Sequence, residues 1–264
     1  MRRTLCALTL LLTLGAPSFA QDEDDPPPPP PAEAKPAPEA VMDEVAKAAF
    51  KKWRELEYHL GDAGVKTAKL SIAAKLESGE EGAEARQTTG SYEWDGKAGK
   101  LTWADEEIGL QLGEQGWSND RFTEHYSRKD ELKELRGCEL KGEKKEDGAV
   151  VVTIAKGTPT APFKAFHFDK AGVMSAIVLD GPEGSDVKFT LSYKKVGEKH
   201  LATGWTYSVK TEEGTIESTM VLESAEVGGF HVVKKSVETI KQGEKLVARI
   251  TLEFKDHKLN EVTK

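Results

Sequence analysis

Apolar and polar residues alternate with a period of two along most of the chain after Lys66. Successive side chains of a strand point to opposite faces of a sheet, so this alternation predicts strands with one apolar and one polar face. Glycine-bearing turns such as Asp95-Gly96 and Gly228-Gly229 separate the runs and indicate hairpins. The apolar positions of the runs are Ala68/Leu70/Ile72/Ala74/Leu76, Tyr92/Trp94, Leu101/Trp103, Val150/Val152/Ile154, Val187/Phe189/Leu191/Tyr193, Leu201/Thr203/Trp205/Tyr207/Val209, Ile216/Ser218/Met220/Leu222 and Leu246/Ala248/Ile250/Leu252/Phe254.

A helical period appears in two places. Within residues 40–60, apolar side chains recur every three or four positions, which predicts an amphipathic helix that ends at Gly61 and Gly64. A second, shorter helix is predicted after the N-cap sequence at Ser118, and it would end at Gly137.

Together these elements predict a mainly β (α+β) fold. Strands with one wet face belong to an antiparallel sheet, and its apolar face must be covered. We therefore expect a strongly curved antiparallel sheet or unclosed β-barrel of about ten strands, covered by the N-terminal amphipathic helix and one further short helix. A closed barrel or a two-sheet sandwich are the alternatives. A change of apolar parity between Phe230 and Val237 predicts a bulge or bend.

The N-terminus has the features of an export signal. Residues 1–20 combine Arg2 and Arg3, an apolar stretch and the small-residue site Ser18-Phe19-Ala20, so cleavage is expected near Ala20/Gln21. Residues 21–39 follow as an acidic, proline-rich linker in which six consecutive prolines favour an extended chain. We expect residues 40–264 to form a single β-rich half-barrel domain that is soluble in the periplasm or outside the cell.

Charge and cysteine content narrow the classes of partner. The formal net charge is −8 and no basic cluster is present, which argues against nucleic acid as a partner. Cys138 would be the only cysteine after signal cleavage, so no internal disulfide can form. Without a neighbouring histidine in the sequence, it is expected to be a small buried hydrophobe and not a nucleophile.

No sequence motif points to an enzyme, a metal site or a cofactor. The six histidines form neither an HxH nor an HExxH pair, and GxSxG and phosphate-binding loops are absent from the sequence. A hydrolase would have to assemble its site from distant acids and histidines. The histidines considered for it are His59, His125, His167, His200 and His231.

The apolar face of the curved sheet is the remaining candidate for a binding site. Large side chains fall on it repeatedly, and where a helix covers such a face, part of the interior can stay open as an apolar pocket. The candidate ligand-binding residues are Trp53, Leu70, Ile72, Tyr92, Trp94, Phe189, Tyr193, Trp205, Tyr207 and Met220.

The order of these elements resembles the LolA/LolB-like periplasmic lipoprotein carriers and their lipid-binding relatives. The similar segments are the predicted helix leading into Ala68–Leu76, Gly90-Ser91-Tyr92-Glu93-Trp94, a Gly-turn hairpin over residues 110–117, and the later strands at residues 168–181 and 187–193. The resemblance spans roughly residues 41–256 and is one of pattern, so no functional residue is carried over. It implies an unclosed barrel whose apolar hollow holds acyl chains without covalent chemistry or a cofactor.

Three functions remain open at this point. The first is an exported, monomeric, non-enzymatic carrier or sensor that binds a lipid, an acyl chain or a lipoprotein in an apolar cavity. Its ligand would enter by displacement of the N-terminal helix, with membrane contact that is transient at most. The second is a secreted protein-interaction or scaffold module with a solid core. The third is the hydrolase with a site assembled from distant residues.

Overall fold

A computed structural model describes residues 38–127, 132–158, 162–181, 185–211 and 214–260. The predicted signal peptide (1–20) and residues 21–37 of the predicted linker lie outside these ranges. Pro38 already contacts the fold, because its carbonyl accepts a hydrogen bond of 2.7 Å from the Gly137 amide. None of the helices in the described ranges is long and apolar enough to cross a bilayer.

The described residues form thirteen strands of one sheet. The first seven are β1 (Val41–Met42), β2 (Ala68–Ser78), β3 (Arg86–Trp94), β4 (Gly99–Trp103), β5 (Glu139–Lys144), β6 (Val150–Lys156) and β7 (Phe163–Phe168). The other six are β8 (Met174–Asp180), β9 (Asp186–Val196), β10 (Lys199–Thr211), β11 (Gly214–Val227), β12 (Phe230–Gln242) and β13 (Lys245–Leu259).

The sheet is open, with β1 at one end and β4 at the other. Its strand order is β1-β5-β6-β7-β8-β9-β10-β11-β12-β13-β2-β3-β4. Every neighbouring pair is antiparallel except β1 and β5, which run parallel. The mainly β class and the unclosed sheet are thus as predicted, whereas the estimate of about ten strands is too low. In β7 two buried residues stand next to one another, so this strand lacks a clear alternation.

Three α-helices accompany the sheet within the described ranges, one more than predicted. They are α1 (Glu44–Leu56), α2 (Glu106–Glu114) and α3 (Asn119–Glu124), and a 3-10 turn follows at Lys133–Leu135.

The N-terminal helix is shorter at both ends than the predicted range of 40–60. Val41 and Met42 pair with β5 before α1 begins. Beyond Leu56 the chain is extended at Glu57, and the Tyr58 amide donates to the His200 carbonyl at 2.9 Å. The chain therefore joins the start of β10 well before it reaches Gly61.

The predicted hairpin over residues 110–117 is wrong, because α2 occupies most of this segment. The Asp105 carboxylate accepts a hydrogen bond of 3.0 Å from the Ile108 amide and caps this helix. Ile108 and Leu112, one turn apart, are both buried. The second predicted helix is also shorter than expected: it comprises the six residues of α3, and the 3-10 turn lies beyond residues 128–131, which are not described.

Two separate hydrophobic clusters form the interior. The α1 cluster comprises Ala46, Ala49, Phe50, Leu135, Cys138, Leu140, Val152, Phe166, Phe168 and Met174. The α2–α3 cluster comprises Leu60, Val65, Ala68, Leu70, Ile72, Ala74, Tyr92, Trp94, Ile108, Leu112, Trp117, Phe122, Tyr126, Met220, Val232, Ile250, Leu252 and Phe254. Cys138 is fully buried in the α1 cluster, as predicted.

A glycine allows α1 to lie close to the sheet. A Cβ atom at Gly142 of β5 would lie 2.6 Å from the Ala46 nitrogen and 2.7 Å from Val45 Cγ1, both in the first turn of the helix. The Gly142 amide instead donates to the Asp43 carboxylate, which also caps α1 by accepting from Ala46 at 2.8 Å. One carboxylate therefore joins the helix start to the edge of the sheet.

Several register shifts interrupt the long central strands. In β12 the register with β11 shifts between Glu223 and Ser224, which confirms the break predicted between Phe230 and Val237. In β10 the register with β9 shifts between Ala202 and Gly204. Gly204 has a φ of +146°, and a Cβ there would lie 2.0 Å from the Met220 carbonyl oxygen, so this position requires glycine.

Candidate functional site

The helix-bearing face of the sheet carries a row of large side chains between the two clusters. Partners across an antiparallel pair project to the same face, and Trp205 is paired with Leu191 on one side and Met220 on the other. We call the five half-buried residues of this stretch the apolar row. They are Phe189, Leu191, Tyr193, Trp205 and Tyr207.

The apolar row joins the two clusters. Leu191 packs against the α1 cluster, and Trp205 packs against the α2–α3 cluster. The rings of Phe189 and Tyr207 lie 4.4 Å apart in a tilted arrangement. Because these side chains keep part of their surface exposed while their neighbours are buried, the row is the place where an apolar molecule could add to the interior.

The structure divides the ten candidate residues predicted from the sequence. Leu70, Ile72, Tyr92, Trp94 and Met220 lie within the α2–α3 cluster, where none is more than 6% exposed. Phe189, Tyr193, Trp205 and Tyr207 lie in the apolar row.

Trp53, the remaining candidate, is on α1 with its ring 6.4 Å from that of Phe50. Tyr193 lies beside it, and burial, followed by the nearby charge of Glu57, raises the pKa of the Tyr193 hydroxyl. This contact extends the apolar row as far as the N-terminal helix. Leu191 also belongs to the row. Sequence reasoning placed it on the apolar face but did not name it as a site residue.

A polar group lies next to the apolar row on the same face. Glu238 of β12 is only 8% exposed, and the Ser218 hydroxyl donates to its Oε1 at 2.9 Å. Burial raises the pKa of the Glu238 carboxyl. Ser218 pairs with Tyr207 of the row, and burial, followed by the charge of Glu238, raises the pKa of the Tyr207 hydroxyl.

This polar group did not emerge from the sequence. In its predicted strand, Ser218 occupies an inward-facing position among apolar residues. A polar residue at such a position was the one indication of a buried polar group. In β12, the bulge beside Lys234 hid the parity that places Ser236 and Glu238 inward.

Two depressions of the described surface, with volumes of about 520 and 410 Å³, are open to solvent. One lies beside Gly61, Trp94 and Tyr126, and the other beside Ala74 and Thr88, so neither includes the apolar row. Within the described ranges, no group of three or more His, Cys, Asp and Glu side chains is placed to hold a metal ion.

Comparison with known proteins gives matches among solved structures. A DUF1329 family protein from Desulfovibrio piger ATCC 29098 is similar at 6% identity and a TM-score of 0.32, over 84% of this chain and 96% of that one. A LolA superfamily protein from Nitrosomonas europaea is similar at 6% identity and a TM-score of 0.26, over 83% of this chain and 96% of that one. The LolA superfamily is among the structural neighbours.

A third neighbour is a domain from Vibrio parahaemolyticus assigned to the outer membrane lipoprotein-sorting proteins. It has 6% identity and a TM-score of 0.26, over 84% of this chain and 93% of that one. The TM-scores show that the backbones superpose only in part. No protein-family model matches the chain, and no curated protein matches it in sequence.

Proposed function

We propose that the protein is an exported, non-enzymatic carrier or sensor that binds a lipid, an acyl chain or a lipoprotein against the apolar row. The half-buried state of the row is the observation that supports this function. Five large side chains lie on the same face as both clusters, yet neither cluster covers them completely. An apolar ligand laid across them would remove this surface from water, at about 25 cal/mol per Å² of apolar area.

The ligand site is proposed as a trough, because the two clusters on either side are filled. Ala46 of α1 and the residues Leu140 and Val152 beneath the helix are at most 1% exposed, which leaves little space for a ligand under the seated helix. Displacement of α1 would uncover Phe166 and Phe168 and lengthen the trough. In this proposal, α1 is the movable cover.

Ligand uptake tests the proposal. The protein is purified from its own host for native mass spectrometry, and then titrated with a neutral fluorescent alkyl probe. We expect co-purifying lipid and saturable uptake of the probe. Absence of both would overturn the carrier function.

A matched pair of variants locates the site. Phe189→Ser removes an aromatic ring from the apolar row and should weaken probe binding about tenfold, because burying such a ring contributes about 1.5–3 kcal/mol. Val221→Ser is the control: Val221 is 49% exposed and alternates with Met220 on β11, so it projects from the opposite face. Equal effects of the two substitutions would place the probe elsewhere.

A secreted interaction module is the second candidate, and the filled clusters favour it. The same titration separates the two functions. If the purified protein takes up no probe, yet a crosslinker applied in its host joins it reproducibly to one protein, the interaction module is supported.

A further inference from the structure

Buried polar side chains are concentrated beside the apolar row. The described residues include four buried polar or charged side chains, Thr88, Ser218, Ser236 and Glu238. All but Thr88 lie on the adjacent strands β11 and β12. A buried carboxyl costs free energy unless a cation or several hydrogen bonds compensate it, so this placement calls for an explanation.

Other residues of the protein make only some of the hydrogen bonds that Glu238 and Ser236 could form. The Ser218 hydroxyl is the one hydrogen-bond donor found for the Glu238 carboxylate, and no Lys, Arg or His within the described ranges forms an ion pair with it. An ionised carboxylate has about four acceptor positions. The hydroxyl of Ser236, which is 1% exposed, has no hydrogen-bond partner among the described residues.

The strand register places this group at one end of the apolar row. Met220 is paired with Trp205 of the row on one side and with Glu238 on the other. Ser236 and Glu238 lie on the same face because they are two residues apart in β12 beyond its bulge. From β9, where the row begins, to β12 is three strand spacings, or about 14 Å. An elongated ligand lying across the strands would bring one end to Glu238.

The geometry points to a head-group site in which Glu238, Ser218 and Ser236 bind the protonated amine of an amphipathic ligand whose apolar body covers the row. This inference rests on the proposed function, since it describes the polar end of the same ligand. An ammonium group carries three donors and a positive charge, which complement a carboxylate with free acceptor positions and the lone pairs of Ser236. A carboxylate or phosphate as the only head group would instead be repelled by Glu238.

The state of the carboxyl agrees with this assignment. Burial raises the pKa of Glu238 in the free protein, and a bound ammonium would lower it again by favouring the charged form. Tyr207 is the titratable side chain that faces it from β10. The ordinary pKa of a tyrosine already keeps this phenol neutral near pH 7, and burial raises its pKa further.

Competition with matched amphiphiles tests the inference. Dodecylamine, dodecanol and dodecanoic acid, each below its aggregation concentration, displace the neutral alkyl probe from the full-length protein at pH 7. We expect the amine to bind at least about tenfold more tightly than the alcohol, and the acid to bind most weakly. Glu238→Gln should abolish the preference for the amine over the alcohol, because it removes the negative charge that binds the ammonium group.

The control is Glu217→Gln, which makes the same change of charge on the opposite face of β11, at an exposed position. It should keep the wild-type preference for the amine. If the neutral probe does not bind at all, the proposed function itself fails. If the probe binds but the amine is not preferred, or if the preference persists in Glu238→Gln, only the head-group site is overturned.

A second measurement does not depend on the folding of any variant. The Glu238 carboxyl is titrated in the wild-type protein by carbon NMR, with and without saturating dodecylamine. We expect the amine to lower the pKa of Glu238, whereas dodecanol should not. An unchanged pKa in the presence of bound amine would also overturn the head-group site.

Discussion

At one end of the sheet a single helix of 13 residues covers strands β5 to β8, whereas at the other end two shorter helices cover β2 to β4 and β13. The single helix holds its cluster through Phe50, whose ring lies 5.2 Å from that of Phe166 and 5.3 Å from that of Phe168. At the other end, stacked and tilted rings belong both to the sheet and to the segment that carries the short helices. These rings are Tyr92, Trp94, Trp117, Phe122, Tyr126 and Phe254.

The two ends of the sheet differ in whether the helices that cover them can detach. Helices of nine and six residues are too short to be stable in water alone, so α2 and α3 depend on the rings beneath them. We expect that end to unfold only with the whole sheet. The longer α1 makes its contacts mainly with β5 and through one large ring, and we expect it to leave the sheet as a unit.

The largest effect is expected from Phe122→Ala in α3. The ring of Phe122 lies 5.3 Å from that of Tyr92 and 6.0 Å from those of Trp117 and Phe254, so its removal leaves a cavity among rings that cannot close. The free energy of global unfolding should fall by about 3–5 kcal/mol in denaturant titrations. Leu110→Ala in α2, at a side chain that is 72% exposed, is the control and should change it little.

Phe50→Ala removes a phenyl ring from α1. The free energy of global unfolding should fall by a smaller amount, about 2 kcal/mol, because α1 can detach without unfolding the sheet. Hydrogen exchange should show α1 amides losing protection while those of β2 and β3 keep it. Lys51→Ala, at the exposed neighbouring position, serves as control. Equal loss of protection in all three elements would contradict the independence of α1.

A substitution at the N-cap of α2 should have a moderate effect on the free energy of unfolding. Asp105→Ala removes the acceptor for the Ile108 amide at the start of α2, and we expect a loss of about 1 kcal/mol in the free energy of unfolding. Asp105→Asn keeps an acceptor oxygen and should restore most of this loss. If asparagine is no better than alanine, the cap does not contribute to the stability of this end.

The smallest effect is expected at the cap of α1 and depends on pH. Hydrogen bonds from the Ala46 amide and then the Gly142 amide lower the pKa of Asp43 below its ordinary value of 3.8. The ionised form is therefore favoured in the folded state, so its contribution is complete above the ordinary pKa and is lost as pH falls through the lowered value.

The measurement is α1 amide protection, corrected for the intrinsic pH dependence of exchange. Protection should decline in acid in the wild type, and less so in Asp43→Asn. Glu44→Gln, which changes an exposed acid one residue further on, should follow the wild type. A decline of equal size in Asp43→Asn would show that other groups cause it.

The sequence predicted those parts of the fold in which one face of a strand is uniformly apolar. The alternation in β2, β9 and β11 is visible because charged or hydroxyl-bearing residues occupy most of the outward positions. In β7, Ala165 and Phe166 are adjacent and both buried, so no period of two is apparent. The helix at Glu106–Glu114 was missed because its glycines resemble turn residues, while its cap at Asp105 was overlooked.

The site was less predictable, since burial at a given position depends on which strands a helix covers. Trp94 and Trp205 are both apolar positions of alternating strand patterns, yet Trp94 is 6% exposed beside Tyr126 and Trp205 is half-buried in the apolar row. Contacts between residues far apart in the chain determine how deeply each tryptophan is buried. The same holds for Glu238, whose inward direction follows from a bulge in its own strand.

The two-residue strand β1 has a consequence for association between molecules. An open sheet exposes unpaired backbone groups at its edges, and such edges can recruit strands of other chains into aggregates. Val41 donates to the Cys138 carbonyl, Asp43 donates to the Leu140 carbonyl, and the Asp43 carboxylate accepts from the Gly142 amide. These contacts occupy the outer edge of β5 as far as Gly142. The charged residues Glu143 and Lys144 follow at the end of the strand. The segment before α1 thus protects this edge from intermolecular strand addition.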